Sequence, residues 1–311
     1  MNNQNTLEAL QVLAVIYRML KDKAKATRIL NKINEIDQLS HFARFEKFLW
    51  DGSGKSKEQF LSPVKNEMPQ QTFLELGIWY QQLNCKQEAL QVLGFGASEP
   101  EFIYWRSFLE NKAVELDSIQ PGITFPFRSE TARVLEGLIK KNDHWLLKYH
   151  RGLIEWNRNN LAKAKLLFVQ CGSHPADPAF YAARAALIKS DAGPELADLQ
   201  KAMELDKTGW RYHKLLAEHF VQKKQYQKAL AIVEPYYKTH PDDYVMGMLF
   251  AKTLLLSKKY TSSDALLSNL KILPFEGGTE GRQLYHEAKL MQAVIALKNK
   301  IIIRRGNLLP G

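Results

Sequence analysis

Histidine is the residue type here with the widest capacity for metal or acid–base chemistry, yet its eight copies follow no catalytic spacing. His286 and Glu287 begin like the metal-binding pattern HExxH, in which two histidines one helical turn apart ligate zinc, but position 290 is a leucine. His213 and His219 are six residues apart, which places them on poorly aligned faces of a helix. The sequence therefore predicts no metal site.

Patterns for nucleophilic or phosphate chemistry are also missing from the sequence. Cys85 and Cys171 have no CxxC or Cys/His spacing around them, which favours reduced, packed thiols. The segment 274–281, PFEGGTEG, lacks the Lys-Ser/Thr of a phosphate-binding loop and a preceding strand, so it predicts a flexible connector with Thr279 as a helix cap. No GxSxG, kinase or dinucleotide fingerprint occurs, and the scattered acidic residues show no glycosidase signature. We expect neither catalysis nor a cofactor.

The chain is basic, with a formal net charge of +10. Such a charge suits nucleic acid, an anionic membrane or an acidic protein. However, no block of five like charges occurs, which favours a lysine-rich solvated surface. No run of about 18 apolar residues exists, so we expect no membrane span. The start, MNNQNTLEALQVLAVIYRML, lacks a basic region and a cleavage site, which favours a cytoplasmic location.

The elements that position these side chains follow from an internal repeat. Residues 73–89, FLELGIWYQQLNCKQEA, fit the spacing W-x2-L-G-x2-Y-x8-A. Residues 210–241 give a second copy and a third follows 34 residues later, as the aligned segments KKQYQKAL and SKKYTSSDAL show. Further copies start near residues 10 and 145, with a shorter unit between 175 and 210 that places Leu199 and Ala202 on its second helix. Each copy predicts two helices in which small residues such as Gly77 and Ala217 permit close approach.

This spacing resembles the tetratricopeptide repeat family. The resemblance implies an all-α fold, a right-handed α-α superhelix in which antiparallel helix pairs stack as a single solenoid over 1–311. It also implies peptide binding in a concave groove lined by the first helix of each pair. The groove-facing candidates are Tyr149, Leu153, Trp156, Arg211, Lys214, Glu218, Val245, Met248 and Lys252. The family's carboxylate clamp places an asparagine four residues after a lysine, whereas Glu218 follows Lys214 here, so we do not expect a receptor for chaperone tails.

Two stretches interrupt the repeats. Residues 118–128 contain Pro121, Gly122 and Pro126, and predict a non-helical linker, packed down by Phe125 and Phe127, between sub-segments 1–117 and 129–300. A helix is expected to start at 129. At the other end, residues 282–300 predict a first helix with no second one, and 301–311, IIIRRGNLLPG, predict an irregular tail. We interpret this as the end of a truncated reading frame or fragment, with an uncapped C-terminal end available for self-association.

A looser resemblance covers most of 130–300. The segments PYYKTHPDDYVMGMLFAKTLL and ILPFEGGTEGRQLYHEAKLMQA are similar to the C-terminal tetratricopeptide region of large Bacteroidetes multidomain proteins of unknown function. In those proteins a β-sandwich region of carbohydrate-related type precedes the repeats. The resemblance implies no activity for the repeats themselves.

Three functions remain open on the sequence. The first is a non-catalytic scaffold that binds a peptide or partner domain in the groove, which the repeats favour. The second is a nucleic-acid binder, suggested by the charge but disfavoured by its even spread. The third is the accessory segment of a carbohydrate-related protein, for which Trp145, Trp156 and Trp210 could form an aromatic platform.

Overall fold

The computed structural model describes residues 3–65, 68–96, 98–114, 116, 119, 124–188, 193–270 and 278–306, with the backbone alone for 3–6, 278–280 and 301–306. The chain divides into two compact units, Met1–Arg158 (unit 1) and Asn159–Gly311 (unit 2). Throughout the described ranges the regular structure is helical, which confirms the predicted all-α class.

Unit 1 is built from antiparallel helix pairs followed by three further helices. The helices are α1 (Asn3–Met19), α2 (Lys23–Ile36), α3 (His41–Asp51), α4 (Gly54–Leu61), α5 (Pro69–Gln82), α6 (Lys86–Leu93), α7 (Pro100–Glu110), α8 (Ser129–Ile139) and α9 (Trp145–Asn157). Consecutive helices pack together as α1 with α2, α3 with α4 and α5 with α6, and α8 packs against both α7 and α9. The helix expected at residue 129 begins there.

Unit 2 repeats the same arrangement. Its helices are α10 (Leu161–Gln170), α11 (Pro178–Ile188), α12 (Pro194–Leu205), α13 (Trp210–Gln222), α14 (Tyr226–Thr239), α15 (Tyr244–Leu256), α16 (Tyr260–Asn269) and α17 (Gly278–Gly306). The pairs are α11 with α12, α13 with α14 and α15 with α16, and α17 packs on α16 and α15. Helices α13 and α15 start 34 residues apart, as do α14 and α16, so the structure has the 34-residue register predicted from the sequence.

Small residues allow the paired helices to approach closely, as the repeat pattern predicts. A Cβ added to Gly77 of α5 would lie 2.7 Å from Cγ and Cδ2 of Leu93, which is fully buried on α6. In unit 2, Ala217 of α13, Ala229 of α14 and Ala251 of α15 are each 0% exposed. A larger side chain at these positions would push the helices apart.

The turns between α1 and α2, α5 and α6, α13 and α14, and α15 and α16 share one backbone geometry. Lys21, Asn84, Lys224 and Lys258 all have positive φ values between 57° and 62°. The residue that follows each of them donates its N–H to a carbonyl five residues earlier, for example Gln225 to Phe220 at 2.8 Å and Lys259 to Leu254 at 2.9 Å. These bonds satisfy carbonyls that the helix end leaves without partners, and reverse the chain within three residues.

The two units have different cores. Unit 1 is rich in aromatic rings, and Phe45, Phe60 and Tyr80 are each 0% exposed and in ring contact around Phe45. The main cluster of unit 2 contains smaller and aliphatic side chains such as Ala185, Leu216 and Val233. The short predicted unit is confirmed, because Leu199 and Ala202 are buried on α12.

The structure corrects two expectations about the interruptions. Pro126 is buried in the linker, but Phe125 and Phe127 are 53% and 47% exposed, so the aromatics do not pack the linker down. Residues 117, 118 and 120–123 lie outside the described residues, and 124–128 are non-helical within unit 1. The prediction of an irregular tail is wrong for residues 301–306, because α17 continues to Gly306. The side chains of Ile301, Ile302 and Ile303, and all of 307–311, lie outside the description.

Candidate peptide-binding site

Six of the nine predicted groove residues lie on two neighbouring first helices of unit 2. Arg211, Lys214 and Glu218 are on α13, and Val245, Met248 and Lys252 occupy the same three positions, 34 residues later, on α15. Spacings of three and four residues place each set on one helical face. Helices α13 and α15 are in contact, so the two sets belong to neighbouring faces.

The α13 face has mixed charge and is partly exposed. The Nζ atom of Lys214 lies 3.6 Å from Oε1 of Glu218, and these side chains are 37% and 38% exposed. The guanidinium of Arg211 lies 4.7 Å from the centroid of the Trp210 ring. On α15, Val245 is 38% exposed, whereas Met248 and Lys252 are half-buried. This face can offer both ionic and apolar contacts to a peptide.

A pocket adjoins Glu218 and was not anticipated from the sequence. Its volume is about 230 Å³, and it opens between α11, α12 and α13. Its lining residues are Ala182, Ala185, Ala186, Glu195, Leu199, Leu215, Glu218, His219 and Gln222. The hollow exists because α11 presents alanines where larger side chains would fill the space. The run YAARAA at 181–186 is the sequence signal that could have indicated it.

The polar wall of this pocket joins two helices. Nδ1 of His219 on α13 lies 3.2 Å from Oε1 of Glu195 on α12, and both side chains are mostly buried. The His219 ring also contacts Phe220 edge-on. With Glu218 nearby, the pocket combines an aliphatic floor with two carboxylates. This composition matches a lysine or arginine side chain, whose stem is apolar and whose head is cationic.

The other three predicted residues lie on α9 in unit 1. Tyr149 is 2% exposed, so its side chain contributes almost no surface, while Leu153 and Trp156 are half-buried. They belong to unit 1, whereas the other six residues belong to unit 2. The complete nine-residue site stays a prediction.

The groups with catalytic or metal-binding potential are held in structural contacts. His213 and His219 bond to different partners, with Nδ1 of His213 lying 3.0 Å from the Gly209 carbonyl oxygen. Within the described ranges, no group of three or more His, Cys, Asp and Glu side chains could hold a metal ion. Cys85 and Cys171 are buried free thiols, and burial raises the pKa of Cys85, which keeps it protonated.

Buried polar clusters join helices of unit 1, and two of them are built around Glu46 and His150. Glu46 of α3 is 0% exposed. It accepts hydrogen bonds from Nε of Arg18 on α1 (2.8 Å) and from the hydroxyl of Tyr80 on α5 (2.7 Å). Arg18 also forms an ion pair with Glu88 of α6. Elsewhere, Nδ1 of His150 lies 2.9 Å from the Tyr104 hydroxyl, and complete burial lowers the pKa of His150 to about 3. Both clusters therefore join helices within unit 1.

Part of the exposed apolar surface lies on the last helix. Leu290, Ile295 and Leu297 of α17 are 63%, 42% and 60% exposed. Self-association through this end stays a prediction. Among the described helices, none is both long enough and apolar enough to cross a bilayer.

Comparison with known proteins adds little beyond this geometry. No protein-family model matches the chain, and no curated protein matches it. Among solved structures, the chain is similar to the tetratricopeptide domain of P58(IPK), with 12% identity and a TM-score of 0.30. The match covers 92% of this chain and 89% of that domain. The chain is also similar to the TPR2AB domain of yeast Sti1, solved in complex with pHSP90, with 13% identity, 92% and 99% coverage, and a TM-score of 0.26.

Proposed function

We propose that this protein is a non-catalytic scaffold that binds a peptide segment of a partner protein along the first helices of unit 2. The pocket beside Glu218 supports this proposal most strongly, because it can accept one side chain of the peptide while the α13 and α15 faces contact its neighbours. The paired charges at Lys214 and Glu218 can exchange their mutual contact for contacts with the peptide.

The pocket specifies which side chain anchors the peptide. Its aliphatic floor of Ala182, Leu199 and Leu215 suits the methylene stem of lysine or arginine, and the carboxylates of Glu195 and Glu218 suit the cationic head. We therefore expect a basic residue at the anchoring position of the peptide, next to apolar residues that pack on Val245 and Met248.

The test is an affinity capture from the source lysate with the full chain as bait, at low and moderate salt, with mass spectrometry of the captured proteins. The decisive variant is Ala186→Phe, which fills the pocket from an exposed position on α11. Its matched control is Ala197→Phe, which adds the same ring to an exposed alanine of α12 outside the pocket.

We expect a discrete partner that survives moderate salt, is retained by Ala197→Phe and is lost with Ala186→Phe. Equal capture by both variants would place the contact elsewhere. Recovery of nucleic acid alone would instead support the second function considered from the sequence.

A further inference from the structure

A second surface of unit 2 is defined by lysines at the turns inside two successive helix pairs. We call the set Lys223, Lys224, Lys228, Lys258 and Lys259 the basic edge. The first three lie at the α13–α14 turn, and the other two lie at the α15–α16 turn. Lys224 and Lys258 are 34 residues apart and share the same left-handed backbone, with φ values of 57° and 62°. The repeat therefore presents the same charge at the same place twice.

These lysines keep their charges available to solvent. All five are exposed, and none of them forms an ion pair with the part of the chain that the structure describes. Lys228 rests over the Phe220 ring, 5.5 Å from its centroid, which orients the side chain without neutralising it. Lys224, Lys228 and Lys258 line one groove, so a bound acidic group would relieve the repulsion between their charges.

The basic edge also borders two grooves, one lined largely by apolar surface and one in which apolar side chains lie among polar ones. A groove of about 450 Å³ lies between the start of α14 and the α15–α16 turn, and contains Tyr226, Leu256 and Lys258. A second, of about 540 Å³, lies between the start of α16 and the distal half of α17, and contains Lys258, Ile295 and Ala296. Lys258 lines both grooves, so they lie next to each other along the edge, and we call the two together the track.

We propose that this track binds an acidic peptide segment in which aliphatic residues alternate with glutamates or aspartates. The carboxylates would contact the lysines of the basic edge, and the aliphatic side chains would pack into the two grooves. The apolar walls at Leu256 and Ile295 favour a peptide over nucleic acid, since a phosphate backbone has no aliphatic groups to place there. None of the predicted groove residues lines either groove, so this surface is separate from the site of the proposed function.

The probe is a fluorescein-labelled peptide, acetyl-(Glu-Glu-Leu)4-amide, titrated with the full chain and followed by fluorescence anisotropy at 50 and 300 mM NaCl. The decisive variant is Lys228→Glu/Lys259→Glu, which reverses one charge beside each groove. Both positions lie in or next to the first turn of a helix, where glutamate is compatible with the helix dipole, so the variant is expected to fold. Circular dichroism and thermal melting verify this.

We expect the double variant to weaken binding by about tenfold or more, and the higher salt to weaken binding of the unmodified chain, because exposed charges dominate the contact. Lys207→Glu is the matched control, since it reverses one exposed lysine at the α12–α13 turn, and is expected to change the dissociation constant by less than about twofold. Ile295→Ser tests the apolar wall and is expected to weaken binding of this peptide more than binding of a (Glu)12 peptide.

Three results would overturn the proposal. One is an unchanged dissociation constant in the double variant. Another is loss of binding with Arg211→Glu/Lys252→Glu while the double variant binds normally, which would move the contact to the α13 and α15 faces. The third is a single-stranded 12-nucleotide RNA that binds more tightly than the peptide at 300 mM NaCl and depends on the same two lysines.

Discussion

Units 1 and 2 share helix pairs and turn geometry, but they place their ionisable residues differently. In unit 1, Glu46 is buried between three helices and held by Arg18 and Tyr80. In unit 2, Lys224 and Lys258 stand exposed at equivalent turns, and the Lys214–Glu218 pair lies on a partly exposed face. The same repeat can therefore use charge to join helices or to meet a partner. Unit 2 also contains a helix-joining pair, Arg184 of α11 with Asp198 of α12 at 2.7 Å, and we assign partner binding to unit 2.

The largest effect expected from this difference is on stability. Burial raises the pKa of Glu46, while the charge of Arg18 acts against that rise, so the carboxylate depends on its partner. Arg18→Met leaves a buried carboxylate with one hydrogen bond fewer, and is expected to lower the free energy of unfolding by about 3 kcal/mol. Urea denaturation followed by circular dichroism measures this.

The matched variant in unit 2 is Lys214→Met, which breaks a partly exposed pair and is expected to cost about 0.5 kcal/mol or less. Arg18→Met/Glu46→Leu, which removes both buried charges, is expected to recover much of the loss. Similar losses for Arg18→Met and Lys214→Met would remove the distinction between the units.

The second effect is a dependence of stability on pH that arises in unit 1. Burial lowers the pKa of His150 to about 3, while a histidine in an unfolded chain has a pKa of about 6.5. Between these values the unfolded chain binds the additional proton, so stability falls as the pH decreases from about 6.5 towards about 3. The expected loss from His150 is about 2 kcal/mol at pH 5.

Glu101 opposes this trend, because burial raises its pKa to about 6 despite the nearby charge of Arg128. The stability that Glu101 contributes to the folded state therefore falls as the pH rises from about 4.5 to 6. We therefore measure the free energy of unfolding of the wild type and of His150→Gln in urea between pH 4 and 8, and take the difference at each pH. We expect the wild type to lose stability faster below pH 6.5. If the free energies of unfolding of the two proteins changed in parallel with pH, His150 would be accessible to protons in the folded protein.

The third effect compares how tightly the helices approach in each unit. A methyl group at Gly77 meets the buried Leu93 at 2.7 Å, so Gly77→Ala is expected to cost about 2 kcal/mol. A methyl group at Gly247 of α15 meets Tyr237 at 2.9 Å and Leu270 at 3.0 Å, but these side chains are only half-buried and can move. Gly247→Ala is expected to change stability by less than about 1 kcal/mol, since alanine also favours the helix. Thermal melting of the two variants gives the order, and the reverse order would contradict this packing.

The sequence predicted those parts of the fold that depend on local spacing. The helix pairs, the 34-residue register and the close approach at Gly77 and Ala217 follow from residue types at fixed intervals. The Arg18–Glu46 pair was not predictable, because its members are 28 residues apart and meet only when α1 packs on α3. The left-handed turns at Lys224 and Lys258 were missed because lysine, unlike glycine or asparagine, does not indicate a positive φ.

The candidate site was predictable to a smaller extent. Helical periodicity placed Arg211, Lys214 and Glu218 on one face, but it also selected Tyr149, which is buried. The pocket needed three helices to be known at once, because Ala182, Glu195 and His219 come from three elements. Sequence spacing within one helix cannot show what a neighbouring helix leaves empty.

The most direct test of the division between the units is site-specific photo-crosslinking in the source lysate. The photoreactive residue p-benzoylphenylalanine replaces the exposed Val245 of the α15 face, the exposed Ala197 outside the site, or the exposed Lys140 at the end of α8 in unit 1. We expect a discrete partner to be crosslinked from Val245 and not from Ala197 or Lys140. Crosslinking of the same partner from Lys140 but not from Val245 would contradict this expectation, because the binding surface would then lie in unit 1.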